Sequence, residues 1–409
     1  MHVLKCKPAR VLSAVVVCLL AIAFAGCSGG TSATTSASAP PFTALVIDHS
    51  KPRPLVVRAL ARSAFVWKEI PGAMPPGYRY AYHDGWRGWP VSPLNQQHPI
   101  RGSLLDPRGP DNDGLSGYHF GIDVSVDDQH PEAGASKGLS HRVFALESGS
   151  AQPRPGSRPC GDRRIEIGHF TYWHVSPTVA RGQQVRAGQQ IGWTCIGEWH
   201  VHVSEWARLG SKRVWVNPLH RGGKLAPYLD TILPVVRELR FSAPAKPWDP
   251  EVSLSQPDTT ARLDPRHLHG RVELRARVAD RSSFSGFLTR DPRWPTELHP
   301  TSLAVAIASE ASGQIVLRRV AFLADQLPTT PYLVHYAPGS TQNASMSECL
   351  GPPSLADCDG IFWLRPFSML RQEYWDTRAS PNGAYRVTVR VTDAAGNRAY
   401  GSATVKVAN

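Results

Sequence analysis

The clearest apolar pattern in this chain has a period of two. Val272, Leu274, Ala276 and Val278 alternate with Arg271, Glu273, Arg275 and Arg277. Val387, Val389 and Val391 alternate with Arg386, Thr388, Arg390 and Thr392, and Val405 and Val407 repeat the pattern near the chain end. Such alternation marks strands with one buried and one wet face. Earlier runs are shorter: Val143–Leu146, Arg164–Ile167, Thr171–His174 and Gln190–Trp193 are each bounded by turn residues. Gly182 and Gly188 bracket a strand-turn unit, and Asp393–Asn397 reads as the turn joining the last two strands. The pattern predicts a mainly β protein built from antiparallel sheets. Leu55–Trp67 has mixed spacing and fits helix or strand. Val11–Phe24 is continuously apolar but too short to span a bilayer comfortably.

A chain of 409 residues is too long for one ordinary core, so at least two domains are expected. The 34 glycines and 36 prolines agree with strands and loops rather than long helices. Short strands fill residues 96–228. After that the longer alternating strands of 229–409 resemble an immunoglobulin- or fibronectin-like β-sandwich. Its middle, about 281–380, is too long for simple hairpins and is expected to hold an insertion. Residues 45–95 have no clear pattern. Within them the aromatic stretch Tyr78–Trp89 is expected to pack against the following domain, with a lip over it as the alternative.

The N-terminus reads as a targeting segment. Lys5, Lys7 and Arg10 precede the apolar run, which ends at Phe24-Ala25-Gly26-Cys27. This resembles a bacterial lipoprotein signal, with residues 1–26 removed and Cys27 lipidated as a membrane anchor. Phe24 departs from the aliphatic residue usual there, so simple secretion is the alternative. Residues 27–44 are rich in Ser, Thr, Ala and Pro and read as a flexible tether. Removing the signal takes away three of the charges that make the chain +12, leaving +9. A basic exported protein suits a polyanionic wall or lipid surface; export argues against nucleic acid. Four cysteines then remain, Cys160, Cys195, Cys349 and Cys358, in an oxidising compartment. Pairing Cys160 with Cys195 and Cys349 with Cys358 keeps each bridge within one domain, although four cysteines allow three connectivities. A four-thiolate zinc site is disfavoured, because no two of them are separated by only two residues.

Two short motifs carry chemistry. In His119-Phe120-Gly121-Ile122-Asp123 a glycine lies between two metal-binding side chains. In His200-Val201-His202 two histidines project from the same side of a strand. Chance also makes such pairs, as His267-Leu268-His269 shows; that copy lacks a glycine-rich hairpin before it and reads as surface. The order of the two motifs, the glycines and the intervening Tyr172-Trp173-His174 favour a hydrolytic metal site of three protein ligands and one open position.

Gly117–Glu205, which carries these residues, resembles the LytM/lysostaphin-type zinc endopeptidases that cut peptidoglycan. His98-Pro99-Ile100-Arg101-Gly102 is similar to the strand that opens that domain. The resemblance implies an antiparallel β-sheet domain with an open groove. It implies one zinc ion on His119, Asp123 and His202, with His174 and His200 as catalytic histidines, His200 nearer the water. Two departures concern substrate choice. The loop Thr194–Trp199 is short, and Ser204 stands where the family often has glutamate. The alternative is a non-catalytic wall-binding or hydrolase-activating module on the same fold.

Overall fold

The computed structural model describes residues 70–108, 117–126, 132–156, 162–198, 200–244, 260–281, 297–340, 362–370 and 374–409, with Lys68 and Gln372. The signal segment, Cys27, the tether, Leu55–Trp67, Cys160, Cys349 and Cys358 lie outside them. The described residues belong to a single compact unit within Leu45–Asn409. None of their helices is long and apolar enough to cross a membrane.

The protein is mainly β, with antiparallel sheets, as the period-two pattern predicts. Two buried apolar clusters organise the strands. The first lies beneath a seven-stranded sheet. Its strands run in the order Ile100–Gly102, Ile122–Ser125, His200–Leu209, Phe170–Trp173, Arg164–Ile167 and Gln152–Arg154, and Lys212–Val216 also pairs with His200–Leu209. Ile122, Val124, Ile165, Tyr172, Val201 and Val203 all point into this core. The three-stranded sheet of Leu139–Phe144, Gln190–Cys195 and Val175–Pro177 contributes Val143, Val175 and Ile191 to it.

The second cluster is shared by a five-stranded and a four-stranded sheet. The five-stranded sheet is centred on Arg271–Arg281, and the other runs Ile315–Leu323, Ser302–Ser309, Gly383–Thr392, Arg398–Val407. Two expectations change here. Ser302–Ser309, expected within an insertion, is an inner strand of the four-stranded sheet. Leu303-Ala304-Val305-Ala306-Ile307 is buried on both faces, so it has no alternation to read. In Arg271–Arg281, Glu273 and Arg275 are buried rather than wet. Their charges are paired: Arg365 Nε donates to Glu273 at 2.6 Å, and Arg275 Nη2 lies 3.5 Å from Glu273.

The two lobes are stitched by main-chain hydrogen bonds. Asn217 N donates to Asp325 O, Leu327 N to Trp215 O, and Leu323 N to Pro71 O. The stretch Ser103–Asp106 leaves the first sheet and buries Leu104 and Leu105 in the second core, beside Tyr118. Tyr336 Oη donates to Leu105 O at 2.6 Å. Residues 78–82 pack on the first lobe. Tyr80 stacks on His220 at 3.6 Å, and Tyr82 donates to the buried carboxylate of Glu205 at 2.6 Å.

Candidate metal centre

Strand register assembles the site. His202 lies directly opposite Asp123 on one neighbouring strand and opposite Trp173 on the other. Directly opposed residues share a sheet face, so three adjacent strands present Asp123, His202 and Trp173 side by side. His200 is two residues from His202 and shares that face. His119 enters from the segment before Ile122–Ser125. Gly121 makes this possible: a Cβ there would run into the Val203 carbonyl and the His202 ring. Gly102 likewise leaves room for the Asp123 carboxylate.

Three donor atoms converge. His119 Nε2 lies 2.7 Å from His202 Nδ1 and 3.1 Å from Asp123 Oδ1, and His202 Nδ1 lies 3.0 Å from Asp123 Oδ1. Ligand atoms of a tetrahedral zinc with bonds of about 2.0–2.1 Å are about 3.3 Å apart, slightly wider than this triangle. The remaining ring nitrogens are held. His119 Nδ1 bonds Ser103 O at 2.9 Å, and His202 Nε2 bonds Ser204 Oγ at 2.7 Å. Donation from His119 Nδ1 to the carbonyl leaves the Nε2 lone pair for a metal. Arg108 Nη2 donates to the second Asp123 oxygen at 3.0 Å.

The protonation states suit metal binding. Burial, with His119 next, pushes His202 down to about 3, so its imidazole is neutral at pH 7. Burial and the neighbouring Arg101 guanidinium push His200 well below its ordinary value. Burial opposes ionisation of Asp123. Electrostatic interaction with His119 and His200 and hydrogen bonds from His119 and His202 outweigh it and hold the carboxyl well below the usual carboxylate range. A neutral His202 imidazole and an ionised Asp123 carboxylate, with the His119 ring beside them, match the donor set expected of a catalytic zinc.

His174 and His200 lie beside this triangle. His200 Nε2 is 3.4 Å from Asp123 Oδ1, and the His174 and His200 ring centroids are 4.5 Å apart. His174 has a φ of 63°, a left-handed conformation that costs a non-glycine residue about 1–2 kcal/mol. It sits where the chain breaks between Phe170–Trp173 and Val175–Pro177. Glu198, in the short loop, reaches both histidines: its Oε2 lies 3.6 Å from His174 Nδ1, and its carbonyl is 2.5 Å from His200 Nδ1. Arg101 Nη2 donates to that carbonyl at 2.9 Å and touches His200 Nδ1. Phe120 and Trp173 pack edge to face at 5.6 Å and flank His202.

The structure thus brings all five of His119, Asp123, His174, His200 and His202 to one place. Tyr172 is not there; it is buried in the core, and its hydroxyl accepts from Leu146 N at 2.6 Å. His267 and His269 are exposed and far along the chain in the other lobe. Sequence reasoning did not assign Arg101, Ser103, Arg108 or Glu198. Ser204 was visible only as a departure from a family pattern, although its i+2 spacing from His202 already put it on the same face. Neither a family model, a curated protein nor a solved structure matches this chain.

Proposed function

We propose that the chain is an exported zinc metallopeptidase that hydrolyses peptide bonds of cell-wall peptidoglycan, in the manner of the LytM/lysostaphin-type endopeptidases it resembles. The observation carrying this reading is the convergence of His119 Nε2, Asp123 Oδ1 and His202 Nδ1, all within 3.1 Å of one another. A bound zinc would supply an acidified water and a Lewis acid for the scissile carbonyl. The side chains do the rest. Ser103 O and Ser204 Oγ fix the orientation of the two ligand rings. His200 and His174 provide neighbouring imidazoles, one to accept the proton of the attacking water and return it to the leaving amine, the other to hydrogen-bond the oxyanion. His200 is the nearer of the two to Asp123.

Export, a lipid anchor at Cys27 and attachment to the outer face of a membrane belong to the same proposal and rest on the sequence. So does the Cys160–Cys195 bridge, which rests on the even number of cysteines in an oxidising compartment. The test is digestion of purified peptidoglycan by residues 28–409, with and without a chelator. Wild-type protein is expected to release peptide fragments, and chelation to stop it. His174→Ala and His200→Ala are each expected to slow release by about 10²–10⁴-fold while bound zinc persists. Stoichiometric zinc with no product on any wall type would favour the non-catalytic module.

A further inference from the structure

A second cluster of metal-ligating side chains lies away from the histidines. Asp230, Asp280 and Asp393 are all buried, and one carboxylate oxygen from each lies within 4.8 Å of the other two. They come from three segments: the passage between the lobes, the end of Arg271–Arg281, and the turn after Gly383–Thr392. Asn397 ties two of these segments, donating Nδ2 to Asp230 O and its main-chain N–H to Asp393 Oδ1, both at 2.8 Å.

Asp393 itself points to a ligand. The residue is 2 % exposed, and its Oδ2 is buried and accepts no hydrogen bond. A buried carboxylate oxygen left without a donor is costly unless something positive meets it. Burial and Asp230 also push the Asp393 carboxyl up, opposing the ionised state that a cation would favour. Tyr228 faces the cluster as well: beyond burial, Asp280, Asp230 and Asp393 all push its hydroxyl up.

We propose that Asp230, Asp280 and Asp393 form a binding site for a hard divalent cation, Ca2+, that clamps the passage between the lobes to one end of the second lobe. An all-oxygen, all-carboxylate donor set suits Ca2+ rather than zinc. Bonds of about 2.3–2.6 Å let one ion span oxygens as far apart as these, with water completing its shell. The site does not depend on the histidine centre or on any peptidase activity.

The probe is CaCl2 added to the purified chain after dialysis into metal-free buffer, read by thermal melting and by Tyr-sensitised Tb3+ emission. Ca2+ is expected to raise the melting temperature by a few degrees, with a Kd of about 10⁻⁴–10⁻³ M. Mg2+ at the same concentration is expected to give a smaller rise. Asp393→Asn should weaken Ca2+ binding at least about tenfold, and so should Asp280→Asn, which serves if the first variant does not fold. His202→Ala should leave the calcium response intact, which separates this site from the zinc reading. No calcium shift in wild type, an equal shift with Mg2+, or an unchanged shift in both aspartate variants would overturn the proposal.

Discussion

At the scale of single residues, the roles divide between those that chemistry announces and those that only register reveals. His119, Asp123 and His202 are legible because few other functions want that set of side chains around a glycine. Ser103, Arg101 and Arg108 are not, because no local pattern couples Ser103 to His119, Arg108 to Asp123, or Arg101 to His200 almost a hundred positions away. Ser204 lies between: on a strand, i+2 means the same face, and its hydroxyl meets His202 Nε2 at 2.7 Å. Outer-shell partners of metal-binding imidazoles fix ring orientation, and losing one typically costs 10–100-fold in metal affinity. Ser204→Ala is therefore expected to weaken zinc binding by about that factor, measured by chelator competition, with the melting profile of the metal-free protein nearly unchanged.

At the scale of elements, the alternating strands are readable and the doubly buried ones are not. Ser302–Ser309 gives no period-two signal because both its faces are covered. The short helix Tyr332–His335 is equally silent, yet it places His335 Nε2 3.0 Å from His299 Nε2, both rings buried. Phe322, Tyr336 and Phe362 surround the pair, and His299 N donates to Ser103 Oγ and to Asp106. Burial pushes His335 from 6.5 down to about 3 and, with His335 beside it, pushes His299 well below 6.5. Both rings stay neutral in the folded state while the unfolded chain takes up protons below about pH 6.5. Their contribution is thus full above that pH and is lost as pH falls toward about 3. Denaturant titrations between these limits should show stability falling with acid, and His335→Gln should remove about one proton from the slope. An unchanged slope would assign the acid sensitivity elsewhere.

At the scale of the whole molecule, the candidate metal-site residues and the second lobe are one construction. His119 is positioned through Ser103 O, and Ser103–Asp106 is anchored by Leu104 and Leu105 inside the second core. Tyr118, next to His119, is fully buried in that same core, and Tyr332 occupies the space where a Gly117 side chain would go. The texture change near residue 229 was legible in the sequence; this insertion of the first lobe into the second was not, because it depends on three apolar side chains in a turn-rich stretch. Residues 45–228 alone would expose Leu104, Leu105 and Tyr118, each almost fully buried, at about 1.5–3 kcal/mol per large apolar side chain. That fragment is expected to aggregate or to melt at least several degrees lower, and to retain little metal. A fragment binding zinc as tightly as the full chain would contradict this coupling.

The most direct test of the central claim is the zinc content of the purified full chain by elemental analysis, beside His202→Ala and His267→Ala. About one zinc per chain is expected in wild type and in His267→Ala, and essentially none in His202→Ala. Zinc retained in His202→Ala, or absent from wild type after zinc loading, would contradict it.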